Sequence, residues 1–457
     1  MSQPVLSPPR SPPCPNRLSL LWAFLAEKGN RERFAWRVAQ QYGDIVWLNL
    51  PKESLYLVSN PAYIKHFLVA QGEDNYHKQG FRPGIVAGEA LSSTSNGAFW
   101  KRHRRMVQPA FQRARLLSSV PLIADAVRRV LDRHWEPLLR SGEPILMLRE
   151  MSRLVLSVMS QLICSEDPSD EVSELVWRYL VPAIYPRPPH RLLMKRKYPD
   201  LLATAHKLDA FAWKTVRERM AQPEQPDDML GLLINARDEK DERMTEREVR
   251  DEFMDLFYGG HVSTGLALCW MWYRLDAHPE VFTRMAESVE QALGGRAPTA
   301  ADVPSLEYVN QVFNETLRHH PPAPGVSRLA VKADTIGDFA VPEGTLVCMS
   351  NYVMHHKPEF WRNPEAFDPE HFSAEQVQAR PRFVFMPFGG GQRVCIGAML
   401  ASLIAQVSTA LMLQRYRLEL VPGTKVVPKT GGAHFPHNLW MKVLPAKQPA
   451  LPEARVA

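Results

Sequence analysis

Phe388-Gly389-Gly390-Gly391-Gln392-Arg393-Val394-Cys395-Ile396-Gly397 is the stretch whose reading decides the fold. Three successive glycines let the backbone turn tightly and bring N–H groups close to a sulfur. Gly397 and the helix behind it direct a positive dipole end toward Cys395, which favours the thiolate. Arg393 adds a cation nearby. A glycine-rich loop that delivers a cysteine into a helix start suits an anionic sulfur ligand; the alternative is a small buried cysteine in a turn.

Working outward, a helix follows from about Ala398 to Tyr416, and before the loop lies a long irregular stretch, 355–396, rich in Pro, Phe and Gly. An unstructured run of that size is expected only where the loop is functional. The longest helical pattern covers 246–277, with Thr245 and Glu248 as a capping box and His278-Pro279 as its stop. Its apolar positions Val249, Phe253, Leu256, Phe257 and Leu266 recur at helical spacing. At 1.5 Å per residue it runs about 48 Å, through the middle of the molecule. Gly259-Gly260 inside it costs roughly 2 kcal/mol relative to alanines, so something approaches that backbone closely. Short strands are expected over 44–50 and 54–58 as a hairpin, and again over 328–350. The pattern from 115 to 220 is helical, broken at Pro182–Pro189.

The loop matches Phe-x-x-Gly-x-Arg-x-Cys-x-Gly at Phe388, Gly391, Arg393, Cys395 and Gly397, and so resembles the haem-binding signature of the cytochrome P450 family. Glu315-Thr316-Leu317-Arg318 resembles that family's Glu-x-x-Arg motif, whose spacing puts both side chains on one helix face. Pro369-Glu370-His371-Phe372 resembles its partner segment, with His371 where the family usually has arginine; histidine lacks the bidentate fork. Trp100 and Arg104 resemble the family's Trp-x-x-x-Arg helix, and His355, Pro358 and Trp361 a stretch upstream of the partner segment. The resemblance covers about residue 30 to the C-terminus. It implies a mainly α fold with small peripheral β-sheets, haem b (iron protoporphyrin IX) lying between the long central helix and the cysteine loop, and Cys395 as ligand to the iron. It further implies that Trp100, Arg104, Arg393 and Arg328 hold the haem propionates, with Phe388 and Gly391 shaping the loop. Glu315, Arg318 and His371 would form a structural lock.

The central helix departs from the family's Ala/Gly-Gly-x-Asp/Glu-Thr-Thr/Ser at Gly259-Gly260-His261-Val262-Ser263-Thr264. By resemblance Gly259 and Gly260 leave room for dioxygen, and Ser263 takes the threonine's place, with Thr264 beside it. Val262 replaces the acid, and valine relays no protons. Three consequences stand open: water or a substrate group completes the relay, electrons couple poorly to product, or the reaction needs the relay less. His261 reads as structural.

The resemblance implies a monooxygenase that inserts one oxygen atom from O2 into a lipophilic small molecule by C–H hydroxylation or epoxidation, in secondary metabolism. Terpenoid, fatty acyl, polyketide and aromatic substrates are all compatible with a pocket of Phe81, Ile85, Val86, Gly259 and Val326, with Arg82 as a candidate charged contact. Alternatives are oxidative coupling, desaturation or rearrangement without oxygen insertion, or a haem carrier or sensor without catalysis. Electrons are expected from a separate ferredoxin or flavodoxin with its reductase, met by Lys101, Arg102, Arg105, Arg380 and Arg382.

Composition agrees with an ordinary globular chain of 457 residues, 45% hydrophobic and 23% charged, net charge +6. The basic excess is dispersed, including Lys195–Lys197, and carries no nucleic-acid motif. Five widely spaced cysteines without a Cys-x-x-Cys pair argue against zinc and against a disulfide framework, which fits a reducing compartment. The Pro-rich residues 1–17 read as a disordered leader, and 18–457 as a single catalytic domain. Leu18–Leu25 is too short to span a bilayer. The expectation is a cytoplasmic monomer without a transmembrane anchor.

Overall fold

The computed structural model describes residues 9–27, 30–50, 54–79, 86, 88–184, 198–430 and 433–446. The chain is mainly helical with small sheets. Five helices position the site: α1 (Gly97–Val107), α2 (Met147–Cys164), α3 (Glu246–Ala277), α4 (Glu307–His319) and α5 (Ala398–Arg415). The largest sheet contains β1 (Ile45–Asn49), β2 (Ser54–Val58), β3 (Tyr76–His77), β4 (Gly325–Ala330) and β5 (Leu346–Ser350), in the order β1-β2-β5-β4-β3. Among the described residues no helix is long and apolar enough to cross a membrane.

Helix α3 starts where the capping box places it. The Thr245 side chain accepts from Glu248 N–H, and the Glu248 carboxylate accepts from Thr245 N–H. It ends at His278, ahead of Pro279, whose ring disfavours helix in the residue before it. One side of α3 packs along α2, and the contact is close because of glycine. A Cβ at Gly260 would lie 2.4 Å from the Met159 methyl, and one at Gly265 would lie 3.4 Å from the Met151 carbonyl oxygen. Around this pair the main core gathers Trp135, Trp272, Phe253, Phe257 and Phe313.

The sheet brings two cations together. β3 and β4 pair antiparallel, with His77 opposite Leu329. Lys78, one residue beyond β3, therefore falls beside Arg328 of β4. The first sheet edge is covered by a segment expected to be disordered. Trp47 N–H of β1 donates to Pro13 O at 2.9 Å, and Arg10 exchanges backbone bonds with Asp338 and Ala340. Arg10 and Pro13 of the Pro-rich leader are thus hydrogen-bonded to folded elements. Proline has no N–H, yet its carbonyl satisfies an edge donor well.

The irregular stretch 355–396 contains only short helices at Pro369–Phe372 and Ala374–Ala379. It is fixed by Arg318. Within α4, Arg318 donates twice to Glu315, at 2.8 Å each, and both side chains are 0% exposed. Its remaining donors reach His355 O at 2.9 Å, Pro364 O at 2.7 Å and Ala366 O at 2.8 Å. Glu315 in turn accepts from Asp368 N–H at 2.8 Å and faces His371 Nδ1 at 3.2 Å. His371 Nε2 donates to Arg362 O at 2.6 Å, so histidine occupies the lock position by bridging carboxylate and carbonyl. The guanidinium of Arg380 covers the Trp361 ring at 3.8 Å.

Burial alone would raise the Glu315 carboxyl, but hydrogen bonds from Arg318, His319 and His371 hold it well below the ordinary value of 4.5. A depressed carboxyl contributes stability that is complete above its unfolded value and is lost as pH falls through the folded one. Glu315→Gln is expected to cost about 3–5 kcal/mol in urea unfolding at neutral pH, because Arg318 stays buried without its counter-charge. The variant should also lose less stability than the wild type on acidification below pH 4.5, since it lacks the titrating group. Parallel acid profiles for the two proteins would show that Glu315 is not the charged anchor.

Candidate active site: the interior space between Cys395 and the central helix

The Cys395 loop is wound tightly. Cys395 N–H donates to Phe388 O at 3.0 Å and Val394 N–H to Gly391 O at 3.2 Å. Gly391 has φ +73°, and a Cβ there would stand 2.1 Å from Leu68 O, so only glycine fits. The Phe388 ring packs half-buried against the main core. The Cys395 sulfur is accessible, yet protein encloses it so closely that burial raises its thiol above the ordinary 9.0. A side chain that is both accessible and enclosed lines an interior space. The Gly397 N–H and the Arg104 guanidinium oppose that rise. The cation at the sulfur is therefore Arg104 of α1, which also donates to Val394 O at 3.0 Å. Arg393, expected in that role, turns away to pair with Glu73 at 2.7 Å, donates to Thr94 O at 3.0 Å and covers the Trp100 ring at 4.7 Å.

Along the middle of α3 two residues are exposed although the helix is central: Gly259 and Ser263. A Cβ at Gly259 would meet nothing within 4 Å. Ser263 Oγ donates to Gly259 O at 3.2 Å, which leaves its lone pairs free toward the open side. Val262 is half-buried. Gly260 and Thr264 do not share this opening. Gly260 abuts Met159, and Thr264 is 4% exposed, on the packed side next to Gly265. Helix rotation accounts for the difference: at 100° per residue only one of two adjacent residues faces a given wall. His261 is fully buried and donates from Nδ1 to Phe257 O at 2.7 Å. Burial lowers it to about 4, so it is neutral at physiological pH.

One turn before Gly259 on the same side is Asp255. It is half-exposed, yet burial raises its carboxyl above the ordinary 3.8, which again marks the wall of an interior space. It interacts electrostatically with Cys395. Asp255 accepts from Ser92 N–H at 2.9 Å and from Ser92 Oγ. Its helix neighbours do likewise: Glu252 accepts from Leu91 N–H at 3.0 Å and Asp251 from Glu89 N–H at 3.0 Å. Three carboxylates on one face of α3 thus hold the main chain of 89–92. Glu73, Lys78, Ser92, Glu252 and Asp255 were not anticipated as site residues. The acidic repeat at 248, 251, 252 and 255 was visible at helical spacing, but its partners are backbone amides, which every residue carries.

A flat macrocycle with two carboxylates suits the charges here. Arg328, 8% exposed, donates only to Ser327 O, at 2.8 Å, among the described residues. Burial lowers it to about 10, and lowers Lys78 to about 8. Lys78, Arg328 and Arg393 interact through space, and Glu73 is the carboxylate beside them. With Asp255 also acting on Lys78, three cations share two carboxylates, and the remaining positive charge is one that haem propionates would balance. The Trp100 indole, 6% exposed and beneath the Arg393 guanidinium, carries an N–H donor of the right kind. The residues present fit haem.

Of the expected pocket, Val86 is packed in the main core at 1% exposure, and Val326 is half-buried against Gly389. Phe81, Arg82 and Ile85 lie outside the described residues. Two of the expected docking cations are engaged internally: Arg102 with Asp238 at 2.7 Å and Glu248 at 2.8 Å, and Arg380 over Trp361. Arg105 pairs with Glu239, while Lys101 and Arg382 are exposed.

The adjacent glycines of α3, Gly259 and Gly260, make separable predictions. Gly259→Ala should stabilise the protein by up to about 1 kcal/mol, since helix propensity improves and nothing is displaced. Gly260→Ala should gain less, because its Cβ pushes the Met159 methyl aside. Thermal denaturation of the two variants tests the order, and a reversed order would contradict the open and closed sides assigned here.

Comparison with known proteins gives the family. The family model for cytochrome P450 matches residues 8–444. Cyclooctatin synthase of Streptomyces melanosporofaciens is 31% identical over 405 residues, covering 85% of this chain and 86% of the relative. Cyclooctat-9-en-7-ol 5-monooxygenase of the same organism is 30% identical over 395 residues, covering 84% of each. In fold, the chain is similar to the crystal structure of the cytochrome P450DA heme domain, with a TM-score of 0.82 at 23% identity, covering 96% of this chain and 98% of that one. A match along nearly the whole chain, on a scaffold that presents an enclosed cysteine to a central helix, places this protein in the cytochrome P450 family, as a haem b oxidoreductase.

Proposed function

We propose that the protein is a haem-thiolate monooxygenase in which the Cys395 thiolate would hold the haem iron, inserting one oxygen atom into a lipophilic small molecule. The observation that carries this is the enclosed but accessible Cys395 sulfur, set opposite an α3 wall opened by Gly259. Bound haem supplies the dioxygen chemistry, for which thiolate ligation favours O–O cleavage. The protein's residues do the rest. Arg328, Lys78 and Trp100 bind the propionate edge. The Gly397 N–H and Arg104 favour the anionic sulfur. Ser263 presents its lone pairs to the open wall and orients a proton donor there. Overall one oxygen atom enters the substrate and the other leaves as water, consuming two electrons and two protons.

Sequence relatedness to cyclooctat-9-en-7-ol 5-monooxygenase supports a bulky, mostly apolar alcohol as substrate, within the terpenoid, fatty acyl and polyketide or aromatic range. A separate ferredoxin or flavodoxin with its reductase supplies the electrons, with exposed Lys101 and Arg382 as the cations that meet it. We place the protein in the cytoplasm, with 18–457 as one catalytic domain. Val262 favours a second reading, oxidation without oxygen insertion, which product mass separates from hydroxylation.

The ferrous carbon monoxide complex should show the red-shifted Soret band of a thiolate ligand, and Cys395→Ser should abolish it. An imidazole-type spectrum in the wild type would refute the assignment. Cyclooctat-9-en-7-ol should shift the haem spin state on binding, whereas dodecanoic acid doing so alone would move the substrate class to fatty acyl chains.

A further inference from the structure

The acid absent at Val262 has a counterpart on this helix. Asp255 precedes Val262 by seven residues, two turns, so both lie on nearly the same side of α3. Behind Asp255 the helix carries Glu252 and Glu248, and α1 inserts His103 between those two. His103 Nδ1 is 2.7 Å from Glu252 Oε1, and His103 Nε2 is 3.1 Å from Glu248 Oε1. The His103 and Glu252 side chains are 0% exposed, whereas Glu248 is 21% exposed and reaches solvent. Glu252 Oε2 is buried with no hydrogen-bond partner among the described residues. An unpaired carboxylate oxygen in such a place is costly unless it carries a proton. At the inner end, Asp255 holds the Ser92 hydroxyl at the interior space.

We propose that Glu248, His103, Glu252 and Asp255 form a proton-conducting ladder from the surface to the interior space, where Asp255 with Ser92 supplies the acid that Val262 cannot. The inference rests on the monooxygenase reading. His103 accepts a proton at Nε2 from Glu248 and releases one from Nδ1 to Glu252. Glu252 passes its proton to Asp255, three residues on along the same face, and Asp255 releases one toward the wall of Ser263. Each donor is refilled from its outer neighbour, so the net event is one proton moved from bulk water to the interior. Burial raises Glu252 to about 7, which leaves it able to give and regain a proton at neutral pH. The charged groups facing Glu252 are His103 and Asp255; those facing Asp255 are Glu252, Lys78, Asp251 and Cys395.

The test uses the haem-loaded enzyme with a surrogate ferredoxin, its reductase and NADPH, and follows NADPH oxidation, so no substrate identity is needed. Asp255→Asn keeps the acceptor for Ser92 N–H, and Glu252→Gln keeps that for Leu91 N–H. Both should slow NADPH oxidation about tenfold or more and enlarge its solvent deuterium isotope effect, because proton delivery becomes the slow step. Oxidation of guaiacol driven by hydrogen peroxide, which brings its own protons, should fall much less than NADPH oxidation does. Independently of activity, the infrared carbonyl band of a protonated carboxyl group should titrate near neutrality in the wild type and vanish in Glu252→Gln. Unchanged NADPH oxidation overturns the ladder, and so does an equal fall of the NADPH and peroxide reactions, which would mark a structural role. The thiolate carbon monoxide band separates the two failures. Its retention with unchanged rates sinks the ladder alone, whereas its absence from the wild type sinks the monooxygenase reading.

Discussion

Arg318 spends every donor of its guanidinium inside the protein. Two hydrogen bonds return to Glu315 on its own helix, and three reach carbonyls of a segment without regular structure. That segment runs on to Cys395, so the position of the sulfur is inherited from a charge buried some distance away in sequence. A guanidinium out of water is tolerable only with a counter-charge and full hydrogen bonding. Glu315 provides the first and the 355–366 carbonyls the second. The arrangement explains how a long irregular stretch holds one conformation: its backbone acceptors are claimed by a single rigid fork.

Helix α3 is divided between two tasks by rotation alone. One side packs closely on α2, where a Cβ at Gly260 would displace the Met159 methyl and one at Gly265 would touch the Met151 backbone. The other side is polar or open: Glu248, Asp251, Glu252 and Asp255 toward its start, then Gly259 and Ser263. Because the helix is continuous, the acidic half and the open half share one line. This places ionisable groups upstream of a reactive space without any charge at Val262 itself.

Much of this was legible in the sequence where the signal is local. The ends of α3 follow from Thr245, Glu248 and Pro279, and the lock from the three-residue spacing of Glu315 and Arg318. Cys395 follows from the glycines and Arg393 around it. What escaped depends on pairings across distance. Glu73 captures Arg393 from 320 residues away, which no spacing rule foretells. Gly260 reads in sequence as room for a ligand, and its contact with Met159 becomes visible only in the fold. His371, without arginine's bidentate fork, bridges to Arg362 O because the chain there presents a carbonyl.

The grip of Asp251, Glu252 and Asp255 on residues 89–92 has a bearing on how this protein can change over generations. The carboxylates hold main-chain amides, and an amide persists through every substitution except proline. The side chains at 89, 91 and 92 can therefore be exchanged while the segment stays anchored. Diversification of what the interior accommodates is thereby uncoupled from loss of structure, and a lineage can explore new molecules through this segment one residue at a time.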